Sequence, residues 1–320
     1  MTAKDGQTSR NRRRYPIGLI GLGLMGLAMA ERLTAAGFFV IGWDIAPKQR
    51  AALQKCGGQP ATSNAEVFAQ CDRILLSLPE SRTVRAVLRE ATSTLRYGHI
   101  IADTSTGDPQ DALCLSRQLT PLGVTYLDAT ISGNSDQLRR REVVALVGGS
   151  RHGFNQALDL IRTFARSVIH TGVVGTGAQM KLVTNLVLGL NRAALAEGLA
   201  FARALQLDGK KTLAILRESM AYSRIMDSKG EKMLRGDFKP QARLSQHLKD
   251  VRLMISTAKK TGARLPLSET HRRILMTAES AGFGPLDNSA IIRVLGAVNS
   301  KPIRRSSSAK RNKQSHRSRR

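Results

Sequence analysis

A run of three glycines at fixed spacing, Gly21-Leu22-Gly23-Leu24-Met25-Gly26, constrains this chain more than any other stretch. Glycine-rich hexapeptides arise by chance in loops, so the weight of this one lies in its flanks. The short apolar segment Ile17 to Ile20 precedes it and reads as a strand. Met25, Met29, Leu33 and Ala36 follow at helical spacing, Gly37 stops the helix, and Phe38 to Trp43 reads as a second strand. Asp44 ends that strand, 18 residues after Gly26.

Strand, glycine turn, helix and strand in this order form a β-α-β unit that binds a dinucleotide, the Rossmann arrangement. Gly21 permits the tight turn, Gly23 lets backbone approach a pyrophosphate, and Gly26 lets helix and strand pack closely. The helix N-terminus offers unpaired N–H groups and a positive dipole end to the phosphate. Asp44 is placed to accept hydrogen bonds from ribose hydroxyls and to repel a 2′-phosphate, which favours NAD while leaving NADP open.

Further strands are expected at Arg73 to Leu78, Ile100 to Ala102, Val124 to Leu127 and Val143 to Val147, with helices around Val84 to Leu95 and Gln110 to Leu119. This alternation predicts an α/β fold with a doubly wound, mostly parallel sheet. After about Gly177 strand signals stop. A long helix is expected from Ala178 to Leu207, then helical segments near 209–220, 224–235, 245–261, 268–281 and 288–298. The expected organisation is a basic disordered extension at 1–14, a Rossmann domain at 15–176, an all-helical substrate and dimerisation domain at 177–300, and a basic disordered tail at 301–320.

Of the formal net charge of +26, the first 14 residues carry +4 and the last 20 carry +9. Segments so rich in Arg and Lys cannot bury enough apolar surface to fold, and could hold polyanions such as nucleic acid by neutralising phosphates. The longest near-apolar run, Gly18 to Ala30, is too short to span a bilayer, so no membrane segment is expected. Three scattered cysteines and six histidines without ligand spacing predict no metal site and a reduced, intracellular protein. Since Arg12 to Arg14 lead into the glycine motif with no signal-peptide pattern, a cytoplasmic one is expected.

From roughly Ile17 to Val298 the sequence resembles the β-hydroxyacid dehydrogenase family, the 3-hydroxyisobutyrate dehydrogenase type. Ile20 to Ala30, IGLGLMGLAMA, looks like that family's opening signature. Leu78-Pro79 resembles its second cofactor loop, with Thr83 at a cofactor-facing position, and Asp103-Thr104-Ser105-Thr106 with Pro109 resembles the segment whose threonine lies beside the nicotinamide. The segment Gly175 to Asn185, GTGAQMKLVTN, resembles the catalytic stretch, which implies Lys181 as general acid/base and Asn185 as the partner that orients the substrate. The residues agree on their own terms, since Lys181 and Asn185 are i and i+4 and project from one helix face. Lys249-Asp250 resembles a pair whose lysine closes over the cofactor, and Gly284 to Ala290 resembles the closing signature. The likeness implies a small hydroxyacid or semialdehyde substrate and a homodimer or homotetramer.

One segment departs from the family pattern. Where D-A-P-V-S-G-G is usual, the chain reads Asp128-Ala129-Thr130-Ile131-Ser132-Gly133-Asn134, and larger residues follow, including Arg139 to Arg141. Ser132 and Gly133 can offer a hydroxyl and an N–H to a carboxylate, and Asn134 is expected to reshape that pocket. The rival reading is a non-catalytic superfamily member, a dinucleotide- or nucleic-acid-binding module, which the basic tails favour and the presence of Lys181 and Asn185 opposes. Related imine reductases usually lack a lysine at this position.

Overall fold

A computed structural model describes residues 15–295; both basic tails and the expected helix end at 296–298 lie outside the described residues. Eight strands form one sheet: β1 (Ile17–Ile20), β2 (Val40–Trp43), β3 (Gln59–Pro60), β4 (Arg73–Leu76), β5 (Ile100–Asp103), β6 (Thr125–Ser132), β7 (Val143–Gly148) and β8 (Ala165–Gly172). Their order is β3-β2-β1-β4-β5-β6-β7-β8, and every neighbouring pair is parallel except β6 and β7. The chain winds outward from β1 in one direction and from β4 in the other. The crevice for a ligand therefore opens above the carboxyl ends of β1 and β4, where the order reverses.

Among the described residues, seven α-helices accompany the sheet: α1 (Leu24–Ala35), α2 (Pro47–Lys55), α3 (Asn64–Gln70), α4 (Ser81–Glu90), α5 (Pro109–Leu119), α6 (Ser135–Arg139) and α7 (Arg151–Ile161). Met29, Leu33, Phe154 and Leu160 cover one face of the sheet, and Val67, Phe68, Leu88 and Leu115 cover the other. Burial on both faces explains why the central strands are continuous apolar runs instead of alternating ones.

The second part is helical: α8 (Thr176–Ala204), α9 (Gly209–Glu218), α10 (Glu231–Arg235), α11 (Leu244–Thr261), α12 (Pro266–Ala278) and α13 (Ile292–Leu295). Its core gathers Leu182, Leu195 and Leu199 of α8 with Leu248, Val251 and Met254 of α11 and Leu275 of α12. Single π-helical turns at Met226–Gly230 and Glu279–Phe283 break what the sequence reads as continuous helices. Among the described residues, no helix is long and apolar enough to cross a membrane.

Three local differences from the sequence reading matter for the site. β6 runs on to Ser132, so the departing segment begins on a strand. Residues 135–139 form a short helix that the sequence reading did not include. β8, not expected, leads directly into α8.

Candidate active site

The glycine run turns from β1 into α1 at the crevice. A Cβ on Gly26 would overlap the carbonyl oxygen of Gly21, so only glycine allows this approach of helix to turn. A Cβ on Gly23 would meet nothing within 4 Å. The backbone there faces open space, and no side chain caps the first-turn N–H groups of Leu24, Met25 and Gly26. Asp44 stands beside the turn, its Oδ2 accepting the N–H of Leu22 at 2.8 Å and its Oδ1 that of Ala46 at 2.8 Å. Each oxygen keeps a second lone pair for a hydroxyl.

Across the crevice lies the first part of α8. Lys181 is 6% exposed and Asn185 7%, both on the face turned inward. Burial pushes the Lys181 ammonium down to about 8; the carboxylate of Asp250 pulls it back up, and the charge of Lys249 pushes it further down. Asn185 donates from Nδ2 to Oδ2 of Asp250 at 3.1 Å, so the carboxylate determines which end of the amide it meets and leaves the amide oxygen for another partner. Burial raises the Asp250 carboxyl, against the lowering by Lys249 and Lys181.

Lys249 joins the two halves. Its Nζ donates to the carbonyl oxygens of Thr106 (2.7 Å) and Pro79 (3.0 Å) and stands 3.2 Å from Oδ1 of Asp250. Gln246 also reaches the Pro79 carbonyl, at 3.3 Å, and Lys260 pairs with Asp108 at 2.9 Å. Leu78 is pinned to the Thr106 loop by its N–H, which donates to Ser105 Oγ at 2.9 Å. One chain of contacts thus runs from the loops after β4 and β5, through Lys249 and Asp250, to Asn185. Thr83 sits half-buried in the first turn of α4, next to the Pro79 loop.

Comparison with known proteins agrees with this architecture. Residues 16–172 match the family described as the NAD binding domain of 6-phosphogluconate dehydrogenase. Residues 175–295 match that described as the NAD-binding region of NADP-dependent 3-hydroxyisobutyrate dehydrogenase. The chain is 30% identical over 282 residues to a 2-(hydroxymethyl)glutarate dehydrogenase of Eubacterium barkeri, covering 87% of this chain and 94% of that protein. The chain belongs to the β-hydroxyacid dehydrogenase family. An L-threonate dehydrogenase of Cupriavidus necator is 29% identical over 286 residues, covering 88% of this chain and 96% of that one. A solved 3-hydroxyisobutyrate dehydrogenase from Salmonella typhimurium superposes with a TM-score of 0.81 at 26% identity, covering 88% of this chain and 99% of that one. The chain is an NAD(P)-dependent oxidoreductase acting on hydroxyl groups, and nothing in these likenesses supports a non-catalytic module.

A dinucleotide fits the residues present: the open backbone at Gly23 and the uncapped start of α1 form a cradle that a Cβ would fill. The substrate segment is more particular to this chain. Gly133 has φ +144°, a conformation that disfavours any side chain, and its Cβ would press on Val143 Cγ1 at 2.5 Å. Asn134 is extended (φ −118°) and caps α6: its Oδ1 accepts the N–H of Gln137, and Gln137 Oε1 accepts the N–H of Asn134, each at 3.0 Å. The side chain expected to reshape the pocket is thus taken up in a helix cap. Arg139 pairs with Glu31, Arg140 with Glu142, and Arg141 donates to the carbonyl of Arg162, so each of the three has a partner within the protein.

Asp250 and Asp128 are the buried acids of the candidate site to which the sequence reading gave no role. Asp250 is visible beforehand only as the neighbour of Lys249. Asp128, 3% exposed, opens the departing segment in the sequence, but nothing local shows that it accepts N–H groups at the start of α8. A surface recess of about 670 Å³ lined by Glu31, Phe38, Phe39 and Cys56 lies at the opposite end of the sheet and touches none of these residues.

Proposed function

We propose that this chain interconverts a short-chain hydroxyacid and its aldehyde or keto form, with Lys181 as general acid and base. The observation that carries the reading is a buried lysine lowered to about 8, set against Asn185 and Asp250 where Lys249 ties two cofactor loops together. When bound, the nicotinamide supplies the acceptor or donor of hydride. In oxidation the neutral amine of Lys181 takes the alcohol O–H proton as the carbon gives up hydride. In reduction the ammonium returns that proton to the carbonyl oxygen. A group near 8 populates both forms close to neutrality, as reversible proton transfer requires.

The remaining residues position the reactants. Asn185 offers its amide oxygen to the substrate hydroxyl. Ser132 and Gly133 offer a hydroxyl and an N–H to the carboxylate. Gly21, Leu22, Gly23, Leu24, Met25 and Gly26 carry the pyrophosphate, while Leu78, Pro79, Thr83, Thr106 and Lys249 flank the nicotinamide. Asp44 holds the ribose and sets NAD above NADP. We place the division between the two units at 176/177. The relatives act, by name, on L-threonate, 2-(hydroxymethyl)glutarate and 2-hydroxy-3-oxopropionate, all small acids bearing a hydroxyl or its oxidised counterpart. The capped helix after Gly133 makes 3-hydroxyisobutyrate itself a poor fit.

The outer face of α8 exposes Val183, Val187 and Phe201, continued by its C-cap Leu205, an apolar stripe suited to a second copy of the chain. A homodimer or homotetramer follows from this reading, and sedimentation of Phe201→Glu as a monomer would support it. The thiols Cys56, Cys71 and Cys114 are unpaired, consistent with a reducing, cytoplasmic setting.

The test is a screen of short hydroxyacids and semialdehydes with NAD(H) and NADP(H). At least one pair should turn over, with the higher kcat/KM for NAD and a substrate other than 3-hydroxyisobutyrate. Lys181→Ala should lower kcat by about 10²–10⁴ with cofactor binding intact. Wild-type turnover in Lys181→Ala, or none in the parent across the panel, would overturn the reading.

A further inference from the structure

One carboxylate of the sheet half grips the start of the helical half. Asp128 lies within β6, four residues before Ser132. Its Oδ1 accepts the N–H of Gly175 at 2.8 Å and its Oδ2 that of Ala178 at 2.7 Å, so both oxygens rest on the start of α8. Thr130, on the same strand, donates from Oγ1 to the carbonyl of Gly177 at 3.1 Å. Packing leaves no slack around these bonds. A Cβ on Gly177 would overlap the carbonyl oxygen of Asp128 and stand 2.7 Å from that of Leu146, and a Cβ on Gly148 would stand 2.5 Å from Asp128 Oδ1. Lys181 follows Ala178 by three residues, and Ser132 and Gly133 end the strand that carries Asp128.

We propose that Asp128 is a positioning residue: by gripping Gly175 and Ala178 it sets the aim of Lys181 relative to the substrate held at Ser132 and Gly133. The inference rests on the acid/base reading of Lys181. Both carboxylate oxygens are needed, because an amide presents one acceptor and one donor group to two N–H groups, and protonation leaves one carboxyl oxygen a weaker acceptor with a proton to place. Displacements of about 1 Å at a reacting group are enough to cost catalysis about a hundredfold.

The charge state gives this role a signature. Burial pushes Asp128 up to about 6 against the pull of the two N–H bonds, and Asp103 on β5 pushes the same way. Asp103 itself accepts from Ser105 N–H and Tyr126 OH, Asp111 on α5 pairs with Arg85, and Lys181 lies one turn along α8. Because the folded value lies above the ordinary 3.8, proton uptake stabilises the fold as pH falls through about 6. The same uptake loosens the grip on α8. Stability and catalysis therefore move in opposite directions at this residue, which a purely structural group would not show.

The experiment compares the full chain with Asp128→Asn and Gly177→Ala, using a substrate pair that the wild type turns over. Asp128→Asn should lower kcat by about 10–100-fold, leave the KM for cofactor unchanged, and keep or raise the thermal midpoint. Hydrogen exchange at the Gly175 and Ala178 amides should quicken, a readout independent of turnover. In the reductive direction wild type should show an acid limb near 6 beside the alkaline limb near 8 set by Lys181, and Asp128→Asn should lose only the former. Gly177→Ala should lower kcat and keep the acid limb, since it moves the helix without touching the charge. An unchanged kcat in either variant, a kcat loss matched by a falling midpoint in Asp128→Asn, or an acid limb that survives in that variant would each overturn the proposal. If Lys181→Ala keeps wild-type turnover, it is the acid/base reading that fails, and the exchange data still report whether Asp128 holds the helix.

Discussion

Around the crevice, the two halves of the molecule treat buried polar groups differently. Beneath it each buried acid and threonine of the sheet half has its partners, although away from it the buried His99 leaves Nε2 unpartnered. Asp103 accepts Ser105 N–H and Tyr126 OH, Asp128 accepts two backbone N–H groups, and the Thr104 hydroxyl donates to the carbonyl of Leu76 at 2.6 Å. Behind the crevice, in the helical half, Arg192 is 2% exposed with Nε and Nη2 unpartnered within the protein. Nε2 of His247 and of His271 is unpartnered too, and a Cβ on Gly189 would come within 2.6 Å of the His247 ring. Burial and the Arg192 charge hold both imidazoles low, His271 at about 4. Paired polar groups make a rigid platform on which a ligand can be placed. An unbalanced charge at the core of the other half means that part of its stability is given up.

The largest effect that could break this contrast lies at the glycine turn. Gly26→Ala forces a methyl group onto the Gly21 carbonyl, and neither backbone can move away, so loss of cofactor binding and a lowered thermal midpoint are expected together. Gly23→Ala meets open space, and there the midpoint should hold while the cofactor dissociation constant rises by about tenfold or more. Calorimetric titration with thermal melts separates the two. If Gly23→Ala binds cofactor like wild type, the crevice is not the dinucleotide site and the platform argument fails.

The turn is also the part most legible in the sequence. A glycine run between an apolar strand and a helix has few alternatives, and Lys181 and Asn185 share a face because helical spacing requires it. What escaped had causes of its own. β8 mixes buried and exposed residues along its length, and β3 has two residues ending in Pro60, so neither presents a strand pattern. The partners of the site are long-range: Asp250 meets Asn185 across 65 residues, and Asp128 meets Ala178 across 50. Local periodicity carries no information at that separation. Asn134 was readable as a departure, but its use as a helix cap depends on Gln137 reaching back to it.

A middle-sized effect sharpens the comparison within the helical half. Lys229, 3% exposed, gives its Nζ to both oxygens of Asp287 at 2.9 Å and to Gln241 Oε1 at 3.1 Å. Asp287 also accepts the N–H groups of Gln241 and Ser289. This cation is fully matched, so Lys229→Met strands a buried carboxylate and should cost about 3–5 kcal/mol in denaturant unfolding. A cost below about 1 kcal/mol would show that pairing does not distinguish the buried cations of this half.

Arg192→Met makes the opposite and smaller claim. The two acids whose fields reach Arg192 are Asp287 and Asp250, and both are already engaged, by Lys229 and by Asn185 and Lys249. Burial accordingly drives the guanidinium down to about 10. Because that value lies below the ordinary 12.5, the charged form is the disfavoured one in the fold, and its penalty is present at every pH below about 10. Methionine has similar length, no charge to desolvate and the flexibility to fill an irregular space among Gly189, His247 and His271. Replacement should therefore leave stability unchanged or raise it by about 1–3 kcal/mol, seen as a higher denaturant midpoint at constant slope. It should also release His247 and His271 from the arginine's field and let both titrate nearer the usual histidine range, which NMR of the ring protons can follow. A loss of several kcal/mol instead would mean that Arg192 is matched by groups it does not touch in this arrangement, and the two halves would then be alike.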